Sequence, residues 1–238
     1  MMKELFFEQI DSTNVYLKDH YEDLEDMTFV RADYQSAGRG RSGRKWNGEK
    51  GQALMFSLLI KDERVIERFK VLSVLSAYSV LSVLKGYGLK DLSIKWPNDV
   101  YAGDKKICGI LLESMSRYKI ECLIVGIGLN VNQESFEGDF LHEPVSMLQL
   151  LGKRISIDEV KEKVYCELSK NILKLKDGED LYPLFQKYDY LKGKSVYASI
   201  GKQRKLVSVV GIDRDCSLLV KDGQELLRLD SDEVTFHI

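Results

Sequence analysis

The chain carries no surplus of charge of either sign: 35 lysines and arginines stand against 37 aspartates and glutamates in 238 residues, a formal charge of −2. Proteins that grip nucleic acid over a whole face are usually basic, so a general nucleic-acid binder is excluded and any bound anion is small or held locally. No stretch approaches 18 uninterrupted apolar residues, and the opening MMKELFFEQIDSTN lacks the basic, apolar, small-residue order of a secretory signal. A cytoplasmic protein is expected. The four cysteines, Cys108, Cys122, Cys166 and Cys216, are widely spaced, with no CxxC pair and no histidine cluster beside them. That argues against a disulfide framework and a structural metal site, and Cys108 and Cys122 read as buried thiols in neighbouring strands. His20, His142 and His237 fall in a helix end, a loop and the last strand, with no nucleophile-elbow motif anywhere. A Ser/His/Asp hydrolase is set aside, and the three read as surface or packing residues. Internal repeats and low-complexity segments are also absent.

What is present is ordinary for a globular chain: 44% hydrophobic residues, and enough length for one large core with a smaller companion. A short helix is expected over 11–20, entered through Asp11 or Ser12, then a strand at 28–34 and an interior strand at 53–60. Apolar residues recur at three and four from Arg64 to Lys85 until GYG at 86–88 stops them, the strongest helix pattern in the sequence. LSIKW, a turn at PNDVYAGDKK, then ICGILLES and IECLIVGIGLNVN read as strands joined by hairpins. Ser156 and Glu159 form a capping-box signature for a helix over about 157–175. The expected class is α+β, with a mixed, mainly antiparallel sheet. Beyond Gly193 the short alternating runs SVYASI, KLVSVVGI, SLLV, ELLRL and VTFHI suggest a small β-barrel. Residues 1–190 would form the larger domain and 191–238 the barrel.

Three strings stand out. GRGRSGRKW, residues 38–46, sets four cations among three glycines. Glycine permits positive φ and close backbone approach, and arginine supplies forked donors for phosphate or carboxylate. The loop is neither a Walker motif, since no GK[ST] follows, nor a dinucleotide fingerprint, since no helix begins there. A clamp for a small phosphorylated ligand, a flexible basic loop and an RNA-contacting segment all fit its composition. KWPNDV, 95–100, places Asn98 and Asp99 in a polar turn at a strand end, where a side chain can be aimed into a cleft or simply turn the chain. Lys106 precedes the apolar run ICGILLE, and a lysine entering a buried strand needs a partner, which an anionic ligand would supply. In GIGLNVN, 126–132, alternate glycines suit either a bulged strand or close approach of a ligand, and Asn130 and Asn132 share a side at period two.

Together with STN at 12–14, these strings resemble the biotin protein ligase family from about residue 9 to the C-terminus: GRGRxGRxW, KWPND followed by a lysine and a glycine, and GxGxN. Ser42 stands where some members carry arginine. The resemblance implies the catalytic fold shared with class II aminoacyl-tRNA synthetases and a C-terminal SH3-like barrel. It implies a biotin site of Ser12, Thr13, Asn14, Gln35, Arg39, Gly40, Arg41, Lys106, Gly109 and Gly126, with hydroxyls and amides meeting the donors and acceptor of the urea ring. It implies an ATP site of Arg41, Arg44, Trp46, Asn98, Lys106, Asn130 and Asn132, and a catalytic set of Lys106, Arg41 and Asp99. Asp99 would either bind metal or orient Lys106.

The implied reaction activates biotin with ATP to biotinyl-5′-AMP and transfers biotin to a lysine of a biotin carboxyl carrier protein, of acetyl-CoA carboxylase or another biotin-dependent carboxylase. Mg²⁺ would accompany ATP with no fixed protein site, and the cationic loop would close over the adenylate. Because STN begins at residue 12, no helix-turn-helix domain is expected, hence a ligase without DNA or membrane partners, with a homodimer left open. A lipoate ligase, which shares fold and adenylation chemistry, and an RNA-binding module are the alternatives.

Overall fold

The computed structural model describes residues 3–138, 140–200, 203–231 and 236–237. The chain runs through β1 (Glu4–Phe7), α1 (Thr13–His20), β2 (Phe29–Ala32), β3 (Ala53–Ile60), α2 (Glu63–Ile66) and α3 (Phe69–Gly86). Four strands follow: β4 (Leu92–Lys95), β5 (Asp99–Ala102), β6 (Lys105–Ser116) and β7 (Ile120–Asn130). Helices α4 (Met147–Leu151), α5 (Ile157–Lys176) and α6 (Tyr182–Phe185) lead to β8 (Ser195–Ile200), β9 (Gln203–Ile212), β10 (Leu218–Asp222), β11 (Glu225–Leu229) and β12 (Phe236–His237).

The first seven strands form one sheet in the order β1-β2-β3-β7-β6-β5-β4, antiparallel throughout except for the parallel pair β1 and β2. Its two faces are treated differently. Leu54, Phe56, Leu58 and Ile60 of β3, with Leu123, Val125, Ile127 and Leu129 of β7, enter the main core beneath α3 and α5. The alternate residues Leu59, Cys122 and Ile124 join Leu17 and Tyr21 of α1 in a small cluster on the opposite face. Because side chains alternate along a strand, a run buried at every position, as β3 is, must be covered on both sides. The single short helix α1 covers only part of its face, and the uncovered remainder becomes the site.

α3 is long and apolar enough to cross a membrane by length and composition alone, but it is buried against the sheet as the central core helix. The continuous helix expected over 64–85 is two helices, α2 capped by the Asp62 carboxylate and α3 starting at Phe69. The expected turn at 97–106 contains a strand, β5, so the turns shrink to residues 96–98 and 103–104. At α5 the Ser156 hydroxyl accepts from the Glu159 N–H, while the reciprocal capping box sits at α4 between Ser146 and Gln149. β1, α4 and α6 carry too few periodic residues to be read from sequence.

The C-terminal strands form an antiparallel five-stranded sheet in the order β11-β10-β9-β8-β12. Among the described residues it is open, with β11 and β12 at its edges, and closure into the expected small barrel is not seen. The expected last strand at 234–238 is described only at Phe236–His237, which pairs with β8. The sheet's apolar face, including Val196, Val207, Val220 and Leu229, joins the main core. Polar contacts fasten it as well, among them Trp96 Nε1 donating to the Cys216 carbonyl at 2.7 Å, Ile212 N donating to Asp189 Oδ2 at 3.0 Å and Lys70 paired with Asp230 at 2.7 Å. Trp96→Phe strands that buried carbonyl and should cost about 1–3 kcal/mol of stability. Urea denaturation should show a lower midpoint at an unchanged m-value; a midpoint equal to the parent's would show that the bond contributes nothing.

Candidate active site

The strand register sets Met55, Gly128, Gly109, Asp99 and Lys95 side by side across β3, β7, β6, β5 and β4. Ser57, Gly126 and Leu111 form the neighbouring row. Both rows point away from the main core, and side chains from both line one cavity beneath α1 and the 38–46 loop. Its floor is bare because it must be. A methyl group on Gly126 would lie 2.3 Å from Asn14 Oδ1, and one on Gly128 2.3 Å from the Trp46 ring.

At the β3 end the lining is neutral and polar. Gln35 Oε1 accepts from Thr13 N at 2.7 Å and from Thr13 Oγ1 at 3.1 Å. Thr13 Oγ1 lies 2.7 Å from Ser57 Oγ, which donates to Asn14 Oδ1 at 2.5 Å. Asn14 Nδ2 donates in turn to Glu113 Oε2 at 2.8 Å, and Glu113 is paired with Lys18. That hydrogen bonding and the Lys18 charge outweigh burial and hold the Glu113 carboxyl below the usual range. Ser12 caps α1 by position but makes no side-chain capping bond, which leaves its hydroxyl for a ligand. Hydroxyls and amides that both donate and accept suit a cyclic urea, whose buried groups would otherwise cost about 1–3 kcal/mol each.

The cationic loop crosses above. Gly40 N donates to the Arg44 carbonyl at 2.8 Å and Trp46 N to the Gly38 carbonyl at 2.9 Å, giving a narrow hairpin. Of its three glycines only Gly43 uses a positive φ, and it shares the left-handed region with Ser42. Gly38 is needed for another reason, since a methyl there would meet the Trp46 carbonyl at 2.4 Å. Arg41 donates to the Ser231 carbonyl at 2.7 Å and to Asn98 Oδ1 at 3.3 Å, tying the loop to the C-terminal sheet and the KWPND turn. Trp46 lies over the glycine floor with its indole N–H buried and unbonded among the described residues, a donor awaiting a partner.

At the β5 and β4 end the lining is charged. Lys106 Nζ sits 2.8 Å from Asp99 Oδ1 and 5.8 Å from the Trp46 ring centre. Lys95 is 6% exposed, and its Nζ lies 2.6 Å from His142 Nε2. Burial and the nearby cations push the Lys95 ammonium down to about 8, against the pull of Asp99. Burial, then the Lys95 charge, push His142 down to about 4. The imidazole is therefore neutral at pH 7 and accepts from lysine through Nε2.

A neutral end and a cationic end across one sheet match what comparisons with known proteins find. Residues 6–130 match the model of the biotin/lipoate A/B protein ligase family. The bifunctional ligase/repressor BirA of Escherichia coli is 31% identical over 219 residues, 90% of this chain and 68% of that protein. The chain belongs to the biotin/lipoate A/B protein ligase family. BirA of Bacillus spizizenii is 34% identical over 131 residues, 54% of this chain and 40% of that protein. A solved structure of the Aquifex aeolicus biotin protein ligase, in complex with biotin and ATP, superposes with a TM-score of 0.88 at 28% identity, covering 100% of this chain and 99% of that one. The mixed α+β, mainly antiparallel fold is thus that of the biotin ligases.

Against this family background the structure sorts the expected residues. All but two of them line the one cavity. The exceptions are Asn130 and Asn132, expected on the nucleotide side, whose side chains are engaged within the protein. Asn130 Nδ2 donates to the Val145 carbonyl at 3.1 Å and its Oδ1 accepts from Gln133 at 3.1 Å. Asn132 is bonded both ways to the Ile155 backbone, at 2.8 and 3.0 Å. Both amides pin the segment after β7 to the sheet. Conversely, His142, read from sequence as a surface or packing residue, lines the cavity, as does Lys95, the first residue of KWPND, to which the sequence reading assigns no role. Lys95 did carry a signal: it alternates with the core residue Ile94, so period two aims it at the ligand face.

Lys95 also generates a stability test. Its folded pKa of about 8 lies below the ordinary lysine value of 10.5, so the charged form is penalised in the folded state. The penalty is full below pH 8 and disappears as pH rises toward 10.5, because unfolding takes up a proton in that window. Lys95→Met should therefore stabilise the protein at pH 7 by about 1–2 kcal/mol, a gain that shrinks above pH 8. Thermal unfolding at pH 7 and pH 10 checks this; equal gains at both would refute the burial penalty.

Proposed function

We propose that the chain is a biotin protein ligase that condenses biotin with ATP to biotinyl-5′-AMP and passes the biotinyl group to a lysine of a biotin carboxyl carrier protein. The observation that carries the reading is the polarity of the cavity: neutral hydroxyls and amides at the β3 end, then a bare glycine floor, then Lys106 and its neighbours. Biotin's urea ring lies against Ser12, Thr13, Asn14 and Gln35, and its tail runs over Gly126 and Gly109. Lys106 stands between the biotin carboxylate and the α-phosphate, and the Asp99 carboxylate orients it. Arg39, Gly40, Arg41 and Arg44 cover the phosphate, and Trp46 and Asn98 take the nucleotide side.

The chemistry then needs no protein nucleophile. Carboxylate oxygen attacks the α-phosphorus, pyrophosphate leaves, and the carrier amine later attacks the acyl carbon and releases AMP. Positioning and fixed cations supply the rate, and the ordered loop keeps water from a hydrolysable anhydride. Mg²⁺ carried on ATP would supply neutralisation of phosphate charge. Among the described residues no three carboxylate, histidine or cysteine side chains are grouped for a metal, and Asp99 is occupied by Lys106. Residues 1–190 form the catalytic domain in this reading, and 191–238, as an SH3-like unit, contact the carrier of a biotin-dependent carboxylase in the cytoplasm.

Exchange of labelled pyrophosphate into ATP tests the proposal. It should depend on biotin and ignore lipoate, and Lys106→Met should slow it by about 10²–10³. Dependence on lipoate instead would make the chain a lipoate ligase and overturn the reading.

A further inference from the structure

We propose that Lys95 is the cation that receives the pyrophosphate leaving group, and that His142 is the positioning residue that holds it there. The inference rests on the biotin ligase reading and extends it to two residues outside its assigned set.

The sheet itself gives the direction. Neighbouring strands lie about 4.8 Å apart, so in the row Gly109, Asp99, Lys95 the lysine stands roughly 10 Å beyond the glycine floor. Lys106, on β6, serves the carboxylate and α-phosphate. Lys95, on the edge strand β4, is further along the same line, where the outer phosphates must lie.

Its surroundings lack an anion. Among the described residues no carboxylate comes within ion-pair distance of Lys95, and the nearest acid in the row, Asp99, is paired with Lys106 at 2.8 Å. The groups that face Lys95 electrostatically are Asp99 on β5, Lys106 on β6, Arg44 in the loop and Lys194 ahead of β8, three of them cations beside a single acid. A buried ammonium without a counter-charge is costly, and such a cost is offset when a ligand brings the anion. The polyanion released here is pyrophosphate. When the carboxylate oxygen bonds to the α-phosphorus, the bond to the bridging oxygen breaks and its electron pair leaves on pyrophosphate, with no proton transfer required. Lys95 meets that charge as it forms.

His142 fixes where the ammonium points. Its Nε2 accepts from Lys95 at 2.6 Å, and the Tyr101 ring, with its centre 5.6 Å from Lys95 Nζ, packs edge-to-face with the imidazole at 5.8 Å and forms a wall beside both. Tyr101 is stacked on Tyr190 at 4.9 Å between ring centres, so that wall is rigid. The imidazole, pushed down to about 4, stays neutral and adds no competing charge.

The test separates the half-reactions. Lys95→Met should raise the KM for pyrophosphate and ATP about 10-fold or more, the scale of one lost charged hydrogen bond. His142→Ala should raise them about 3-fold, and His142→Gln, whose amide oxygen can accept, should recover most of the loss. The biotin KM, and transfer from supplied biotinyl-5′-AMP to a carrier domain, should stay within about twofold, because neither involves pyrophosphate. An unchanged pyrophosphate KM in Lys95→Met, or equal losses in both half-reactions, overturns the proposal while leaving the ligase reading intact. An unmodified chain without biotin-dependent exchange would sink both.

Discussion

A side chain at Gly128 would run into the Trp46 ring and one at Gly126 into the Asn14 amide, so the ligand face exists only because alternate positions of β7 are bare. Everything else in the site is arranged around that floor. α1 can lower Thr13 and Asn14 onto the sheet because Gly126 leaves room. The cationic loop can lay an indole across the strands because Gly128 and, across the ladder, Gly109 do the same. The strand keeps its core on the other face through Val125, Ile127 and Leu129, so the cost of glycine in a strand is met by packing there.

On this floor the sheet orders charge. Moving from β3 toward β4, the lining passes from hydroxyls and amides to glycine, then to the Lys106 and Asp99 pair, then to Lys95. The order follows the strand order of the sheet, so in the proposed reading the register of the ladder sets substrate orientation. The same register makes the site expensive. Lys95 is buried with its charge uncompensated, and Trp46 keeps a buried donor unbonded. In the proposed reading a bound acyl-adenylate or its precursors would relieve both costs.

Much of this is legible in the sequence, for identifiable reasons. The strand runs and α5 show their periods because each has one face in a single core. The 38–46 loop and the KWPND turn show themselves because arginine, glycine, proline and tryptophan are each costly outside a purpose. Other features depend on partners that local pattern does not reveal. His142 becomes part of the site only because the segment after β7 returns it to Lys95 of β4, 47 positions away in the chain. Asn130 and Asn132 have the right face and spacing for a ligand, but their amides are taken by Val145 and Ile155. The roles of the loop glycines likewise divide between close approach and positive φ, a distinction that composition does not make.

The claim that ligand direction is set by the sheet is tested most directly by a crystal structure of the chain with a nonhydrolysable biotinyl-5′-AMP analogue. The account predicts the urea ring between Thr13 and Gln35, the acyl-phosphate beside Lys106 and the 38–46 loop closed above it. A reversed ligand, with its ring near Lys95 and its phosphate under α1, would contradict it, as would binding that left Lys106 without a ligand contact.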